Sequence, residues 1–317
     1  LLYEENRGAK MPILKLKPAY KDYIWGGTRL INDYDKENGG TRLAESWELS
    51  CHADGPSRIM EGEEAGKTLQ EYIDQNGRQV LGSKCLRFEE FPILIKFIDA
   101  KDDLSIQVHP NDAYALEYEH QYGKTEMWYV MDCEEGAFLY YGFASQISKE
   151  EFARRISENS LTEVLNKVYV KKGDVLFIEA GTIHAIGKNI LIAEIQQNSN
   201  VTYRVYDYGR KGANGEMRDL HIEKALEVTN RNLIVKEKSF SPHIASCEYF
   251  TVDKIYLDGK NIKKINGCVG RESFVSLLIL EGKGIIWSEN EVMQIKKGDS
   301  IFLPADSGEY ELTGILE

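Results

Sequence analysis

An internal repeat is the sequence feature that most constrains the fold. The segments "KKGDVLFIEAGTIHAI" (171–186) and "KKGDSIFLPADSGEYEL" (296–312) align without a gap over their first ten residues. Each begins with Lys-Lys-Gly-Asp, continues as an apolar run and reaches an alanine-containing turn. A hydrophobic run with a glycine-bearing turn precedes each copy. A unit of hairpin, turn and strand that occurs twice predicts two related β-structures in one chain.

The rest of the chain favours strands, with a few short helices. Short runs of Val, Ile, Phe and Tyr are bounded by Gly, Asp and Asn, a pattern typical of a sandwich or barrel. Helix-start signals predict helices in three places: 68–82 (Thr68 with Glu71), 148–168 (two short helices, at Ser148 with Glu151 and at Ser160 with Glu163) and 219–230 (Asp219 as the cap).

Composition limits the partners and the location of this chain. Its 317 residues carry a formal net charge of −12, which argues against nucleic acid or an anionic membrane surface as a partner. No apolar run approaches the ~18 residues of a membrane helix. The five cysteines are scattered, odd in number and without a CxxC pair. They therefore indicate reduced thiols in a cytoplasm rather than a disulfide framework or a thiolate zinc site.

Four polar residues are candidates for the ligands of a metal site. In "SIQVHPND" (105–112), Gln107 and His109 alternate with apolar residues, so a strand places both on one face. Glu126 opens the strand-like "TEMWYV", and His184 ends "EAGTIH". Each residue alone is compatible with an ordinary structural role. Together they offer nitrogen and oxygen ligands without sulfur, which suit Zn²⁺, with Mn²⁺, Fe²⁺ or Co²⁺ also feasible.

The wider pattern resembles a known family. The Gly-Asp turn, strand and "AGTIH" are similar to the second cupin motif, and the chain as a whole resembles the short form of the class I (type 1) mannose-6-phosphate isomerases. The matching segments run in family order from about residue 12 to 232: "YIWGGTRL" (23–30), "AESWELSCH" (44–52), "LSIQVHPNDAYA" (104–115), "GKTEMWYV" (123–130), "GTIHAIG" (181–187) and "VTYRVYDYGR" (201–210).

The resemblance implies a mostly β double cupin, with two jelly-roll β-barrels and a few short helices. The expected domains are a catalytic cupin domain with helical segments at 11–235 and a degenerate cupin domain at 236–317. Residues 1–10, which precede Met11, are interpreted as an N-terminal extension. Against the repeat, His184 aligns with Glu309 and Glu126 with about Ser273, so the C-terminal domain is expected to bind no metal and to do no chemistry.

The resemblance also implies an activity and a ligand set. Members interconvert mannose 6-phosphate and fructose 6-phosphate through an enediol, so the expected partner is a phosphorylated hexose and the expected assembly a monomer or homodimer. Gln107, His109, Glu126 and His184 are then the ligands of one Zn²⁺ per chain in the N-terminal barrel. Arg204 corresponds to the active-site arginine of the family.

The proton-transfer base and the phosphate site are less constrained by the sequence. Candidates for the base are Glu48, Lys124, Asp207, His52 and a metal-bound hydroxide, of which Lys124 and Glu48 are retained as catalytic candidates. Candidates for the phosphate site are Ser105, Lys96, Lys124, Arg204 and Arg210, with Ser105 and Lys124 favoured. Trp25 and Trp47 are candidate walls of the sugar site, and packing in an aromatic core is the alternative for both.

Two other functional classes stay open. The first is another metal-dependent cupin enzyme, such as a dioxygenase or a different sugar isomerase. An Fe²⁺ oxygenase would more often have His-x-His where this chain has Gln107 and His109, which counts against it. The second is a non-catalytic sugar-binding bicupin, but such proteins often lose metal ligands and this chain keeps four candidates.

Overall fold

The computed structural model describes residues 12–37, 39–211, 215–234, 239–289 and 291–317. In these ranges strands predominate: β1 Leu14–Lys17, β2 Ala19–Lys21, β3 Glu45–Leu49, β4 Arg58–Ile59, β5 Ile93–Ala100, β6 Ile106–Val108, β7 Glu126–Cys133, β8 Phe138–Phe143, β9 Leu165–Tyr169, β10 Val175–Ile178, β11 His184–Ala185, β12 Ile190–Gln197, β13 Tyr203–Tyr206, β14 Ala245–Ser246, β15 Thr251–Val252, β16 Lys264–Val269, β17 Val275–Leu278, β18 Gly282–Ser288, β19 Val292–Lys296, β20 Ser300–Leu303 and β21 Gly308–Leu316.

The helices are short: α1 Arg29–Tyr34, α2 Leu69–Asn76, α3 Asp112–Tyr118, α4 Lys149–Ser157 and α5 Ile222–Val228, with 3₁₀ turns at Arg78–Leu81, Ser83–Cys85 and Leu161–Glu163. None of the helices in the described ranges has the length and apolar character needed to cross a membrane. All five cysteines are free thiols, as predicted.

Two of the predicted helix starts are confirmed. Thr68 caps α2 in a complete capping box, since its hydroxyl accepts from Glu71 N and the Glu71 carboxylate accepts from Thr68 N. Ser148 caps α4 through its hydroxyl, which accepts from Glu151 N at 3.1 Å. Both caps satisfy amide groups that the first turn of a helix leaves unpaired.

The other two predicted starts are wrong. The segment after Ser160 forms only a 3₁₀ turn before β9, and the Ser160 hydroxyl accepts from the Arg155 guanidinium at 3.4 Å instead of capping a helix. Helix α5 begins after His221 without a side-chain cap, so Asp219 is not its cap. At Ser160 the contact with Arg155 takes the hydroxyl that a helix cap would have used.

The chain divides into two compact units. The first comprises Leu1–Ala19, Glu48–Pro92 and Lys254–Glu317, and the second comprises Tyr20–Trp47 and Ile93–Asp253. The predicted domain boundary between 235 and 236 and the predicted extension 1–10 lie outside the described residues. The predicted domain limits therefore stay a prediction.

The second unit is built on two antiparallel sheets. One has the strand order β10-β7-β12-β5-β3-β2, and the other has the order β13-β6-β11-β8-β9. A core that includes Trp128, Ile192 and Leu139 joins side chains from both sheets. A second core packs helices α4 and α5 against the five-stranded sheet, through residues such as Phe152 and Ala225. The side chains between the sheets include those of the predicted metal site.

The first unit also contains two antiparallel sheets, with the strand orders β17-β20-β1-β4 and β16-β21-β18-β19, around a core that includes Ile286 and Ile301. The described strands form separate sheets rather than continuously hydrogen-bonded barrels. Paired antiparallel sheets in each unit, with few helices, confirm the predicted mostly β, double-cupin fold class.

The repeat predicted from the sequence is present as two matching turns. Lys171 N donates to Asp174 Oδ2 at 2.9 Å, and Lys296 N donates to Asp299 Oδ2 at 2.8 Å. The glycine inside each turn has φ near +90°, a left-handed conformation that favours glycine. The turns feed β10 and β20, so the same four-residue sequence begins the same structure twice.

Strand pairing after these turns identifies the counterpart of Glu126. Ile178 on β10 lies opposite Glu126 on β7. Leu303, the equivalent of Ile178 in the repeat, lies opposite Val275 on β17. The first unit therefore has a valine where the second unit has a buried carboxylate. The counterpart inferred from the sequence, about Ser273, was two residues away from the position that the pairing gives.

Candidate metal centre and active site

The Nε2 atoms of His109 and His184 both face the carboxylate of Glu126. His109 Nδ1 lies 2.8 Å from Val201 O, and His184 Nδ1 lies 2.8 Å from Thr182 O. Because a carbonyl oxygen only accepts, each Nδ1 carries the proton and each Nε2 is left with its lone pair. Fixing the tautomer through the outer nitrogen is the usual arrangement of histidines that bind a metal.

Burial keeps both imidazoles neutral. His109 and His184 are 1% and 0% exposed. Burial, reinforced by the charge of Lys124, lowers the pKa of His109 well below its ordinary value and that of His184 to about 4. Neutral imidazoles are the form that coordinates a metal ion.

Glu126 completes a cluster that could hold a metal ion. It opens β7 and is fully buried, with Oε1 3.4 Å from His184 Nε2 and Oε2 3.8 Å from His109 Nε2. Burial raises the pKa of Glu126, and the charge of Glu194 raises it further. Its Oε1 has no hydrogen-bond partner among the described residues. A buried, unpartnered carboxylate oxygen beside two imidazole lone pairs fits a divalent cation.

Strand pairing brings the predicted fourth ligand to this cluster. Gln107 on β6 lies directly opposite His184 on β11, and its Nε2 is 3.5 Å from His184 Nε2. The side chain is half-buried, and its Oε1 is 3.5 Å from the Ser105 hydroxyl. His109, two residues on, follows the end of the same strand. The four predicted ligands therefore lie close together. Their joint role in binding a metal ion remains a prediction.

Arg204 adjoins this group from the other side of β6. It pairs with Gln107 across β13 and β6, and its Nε donates to Ser105 Oγ at 3.2 Å. Its Nη1 donates to Asp219 O at 3.1 Å, while Nη2 has no hydrogen-bond partner among the described residues. Burial lowers the pKa of Arg204, and the charge of Arg218 lowers it further, but a guanidinium stays protonated at any working pH. A fixed cation therefore stands next to the candidate metal ligands.

Lys124 lies inside the same buried cluster. Its ammonium donates to Glu126 Oε2 and to His109 Nε2, the latter at 3.0 Å, and it is 3.7 Å from Glu194 Oε1. Only 4% of Lys124 is exposed. Among the predicted catalytic residues, Lys124 and Arg204 are thus both in contact with candidate ligands or their immediate neighbours.

Glu194 is a site residue that the sequence analysis missed. It is 3% exposed, accepts from Trp128 Nε1 at 2.9 Å and lies 3.4 Å from Lys96 Nζ. Burial would raise the pKa of Glu194, but the charges of Lys124 and Lys96 hold it below its ordinary value. The available signal was a carboxylate within the apolar run "ILIAEI" of β12, where a charge is tolerated only with partners.

The candidate phosphate-binding residues have different partners within the protein. Lys96 is buried between Glu194 and Glu45, so its ammonium is paired within the protein. Arg210 donates from Nη2 to Asp207 Oδ1 at 2.6 Å, and its Nη1 donates to Asp103 O. Ser105 is 3% exposed, beside Arg204 as described above.

Asp207, a candidate base, is occupied by two arginines. It accepts from Arg210 and, in a two-pronged contact, from Arg218. Burial would raise the pKa of Asp207, but hydrogen bonds from Arg218 and Arg210 hold it below its ordinary value. A carboxylate with a lowered pKa is a weak base, which disfavours Asp207 for proton transfer.

The remaining predicted residues are Glu48, His52, Trp25 and Trp47. Glu48 and His52 belong to the first unit; Glu48 is fully buried on β3, and its carbonyl accepts from Ser300 Oγ at 3.0 Å. Trp25 is 3% exposed within the apolar core, which is the alternative considered for it from the sequence. Trp47 is fully buried and donates to Glu45 Oε2 at 2.7 Å. The roles assigned to Glu48 and Trp25 stay predictions.

Comparison with known proteins places this arrangement in a family. The model of the phosphomannose isomerase type I catalytic domain matches residues 13–138, and that of the mannose-6-phosphate isomerase cupin domain matches residues 241–317. The chain is 39% identical over 314 residues to mannose-6-phosphate isomerase ManA of Bacillus subtilis, covering 96% of each sequence. It is 36% identical over 305 residues to a mannose-6-phosphate isomerase of Streptococcus mutans, covering 93% of each. A crystal structure of the mannose 6-phosphate isomerase from Bacillus subtilis matches with a TM-score of 0.86 and 33% identity, covering 96% of this chain and 98% of that one. The chain belongs to the type I mannose-6-phosphate isomerase family.

Proposed function

We propose that this chain interconverts mannose 6-phosphate and fructose 6-phosphate at the His109–Glu126–His184 cluster. Near full-length similarity to proteins named for that activity supports the proposal. The observation that carries it is the link from the cluster to Arg204: His184 adjoins Gln107, and Ser105 bridges Gln107 and Arg204. A cation-binding cluster next to a fixed guanidinium suits a reaction that develops an oxyanion.

Gln107, His109, Glu126 and His184 would hold one divalent ion, for which Zn²⁺ is the best match to two imidazoles and two oxygen donors. The buried Glu126 Oε1 supports this fit. So do the hydrogen bonds from Nδ1 of both histidines to backbone carbonyls, which leave each Nε2 facing the site. When bound, such an ion supplies Lewis-acid polarisation of carbonyl and hydroxyl oxygens.

Arg204 would stabilise the anionic substrate. Ser105 orients the guanidinium through Nε and Asp219 O holds Nη1, which leaves Nη2 to reach a substrate oxygen. The Ser105 hydroxyl and the Trp25 ring would contribute to binding of the phosphorylated hexose. A guanidinium fork matches a phosphate or an enediolate without losing its proton.

Lys124 is the proposed carrier of the proton between C1 and C2, at Nζ. Its contacts with Glu126 and Glu194 hold Nζ in one place within a buried site. After giving up one proton, the neutral amine would accept the proton from C2 and return it to C1. Glu48 is the second candidate. The proposal also includes a cytoplasmic location, consistent with free thiols, and an assembly no larger than a homodimer.

Conversion of mannose 6-phosphate in D₂O tests the proposal. The expected result is fructose 6-phosphate that has gained deuterium at C1, because a proton held on Lys124 Nζ can exchange with solvent before it returns to carbon. Absence of conversion by fully folded, metal-replete protein would overturn the proposed function. A non-catalytic sugar-binding protein would bind the substrate without converting it. An oxygenase would consume O₂, which an oxygen electrode detects in the same sample.

A further inference from the structure

A short segment, Arg218–His221, supports Arg204 at three points. Asp219 O accepts from Arg204 Nη1 at 3.1 Å. His221 Nδ1 accepts from Arg204 N at 3.3 Å, and His221 N donates to Arg204 O at 2.8 Å. The segment therefore contacts both the backbone and the guanidinium of Arg204, and its own position determines where that guanidinium stays.

Arg218 anchors the start of this segment. Its Nε donates to Asp207 Oδ2 at 2.7 Å and its Nη2 donates to Asp207 Oδ1 at 2.6 Å. Asp207 follows β13 directly, only three residues after Arg204, and is 6% exposed. Two parallel hydrogen bonds between a guanidinium and a carboxylate fix orientation as well as distance. The fork thus ties the Asp219 carbonyl to the end of the strand that carries Arg204.

The charges around Asp207 are compatible with this role. Arg210 donates to the same carboxylate, so one negative charge is shared by two guanidiniums, and Arg204 is a third nearby. Arg204 and Arg218 repel each other as like charges, and the Asp207 carboxylate offsets part of that repulsion.

We infer that Arg218 is a positioning residue for Arg204. Its two hydrogen bonds to Asp207 hold the Asp219 carbonyl in place, and that carbonyl orients the Arg204 guanidinium beside Ser105. Arg218 does this without touching the substrate. The inference rests on the proposed function, since it concerns the same reaction, but it assigns a specific task to a residue outside the reacting centre.

A double-mutant cycle tests the inference, with kcat, KM and the inhibition constant of inorganic phosphate measured for each protein. Arg218→Gln should lower kcat about tenfold, as expected when a charge-stabilising group is misplaced, with KM and phosphate inhibition nearly unchanged. Arg204→Ala combined with Arg218→Gln should be no slower than Arg204→Ala alone, because Arg218 acts only through Arg204. Arg218→Lys keeps the charge but loses the fork, so it should not restore kcat.

Arg231→Gln is the matched control, because its guanidinium donates only to the carbonyls of Leu226 and Thr229 among the described residues. It should leave kcat unchanged. Independent, additive losses in the double variant would overturn the inference. A rise in KM and in the phosphate inhibition constant that Arg204→Ala does not share would also overturn it, because it indicates direct phosphate contact by Arg218. If Arg218→Gln does not fold, the same double-mutant cycle with Arg218→Lys and Arg204→Ala tests the inference.

The cycle also separates this inference from the proposed function. An active wild-type protein with a neutral Arg218→Gln substitution would overturn only the positioning role. A wild-type protein that does not convert mannose 6-phosphate would overturn the proposed function and the inference with it.

Discussion

Gln107 and His184 lie directly opposite each other on neighbouring antiparallel strands, with their Nε2 atoms 3.5 Å apart. These residues are 77 positions apart in the sequence, and the pairing of β6 with β11 joins them. The same strand β6 pairs on its other side with β13, which carries Arg204. A single short strand therefore connects the candidate metal ligands to the candidate catalytic arginine.

Metal binding should depend on His184 and not on its repeat counterpart. His184→Ala or His109→Ala should remove both the bound metal and turnover, because each deletes one of the few available ligands. Elemental analysis of the purified variants, beside activity, measures this. Glu309→Ala is the matched control: Glu309 is the aligned residue of the repeat, is exposed, and should change neither quantity. Metal retained at the wild-type level in His184→Ala would contradict the assignment.

Arg204→Ala should lower kcat by about 10²-fold, the usual scale for removing one charge-stabilising donor. Its metal content should equal that of the wild type, because Arg204 is not a proposed ligand. Arg204→Lys should restore little, since an ammonium cannot donate to Ser105 and Asp219 O in the geometry of a planar fork. Near-normal kcat in Arg204→Ala would remove this residue from the mechanism.

Asp207→Asn should destabilise the fold in a pH-dependent way. The folded protein holds the pKa of Asp207 below its ordinary 3.8, so the carboxylate contributes stability above the unfolded-state pKa. That contribution is lost as the pH falls through the folded-state pKa. Urea unfolding should show a loss of ~1–3 kcal/mol at pH 7, the scale for hydrogen bonds to a charged group. The difference from wild type should shrink as the pH falls below 3.8, and a difference independent of pH would contradict this account.

The C-terminal part of the first unit, strands β16 to β21, should contribute stability rather than chemistry. Ile286 is fully buried in its core, whereas Leu278 on β17 is only half-buried. Ile286→Ala should lower the free energy of unfolding by ~2–5 kcal/mol, and Leu278→Ala should lower it by less. Both should keep the kcat of the folded enzyme, measured below the unfolding transition. A large fall in kcat at full folding would give these C-terminal strands a part in the reaction.

The local parts of the fold could be predicted from the sequence. Thr68 and Ser148 cap their helices because the required partners stand three residues away. The Lys-Lys-Gly-Asp turns were also readable, because their hydrogen bonds form within four residues. The alternation of Gln107 with apolar neighbours likewise indicated a strand with one polar face.

The failures have different physical causes. The Ser160 hydroxyl accepts from the nearby Arg155 guanidinium instead of capping a helix, and helix α5 begins only after His221, two residues beyond Asp219. Strand β1 pairs with β20, near the other end of the chain, and no local pattern specifies this. Within the site, the ligand candidates were identified through family motifs. Glu194 was missed because its partner Lys96 lies on another strand.

Removal and return of the metal test the central claim most directly. Isomerisation of mannose 6-phosphate is measured before and after exhaustive chelation, with metal content determined in the same samples. The account predicts about one divalent ion per chain, loss of activity with loss of the ion, and recovery when Zn²⁺ or a similar ion is restored. Chelated His184→Ala should not recover. Full activity in verified metal-free protein would contradict the account.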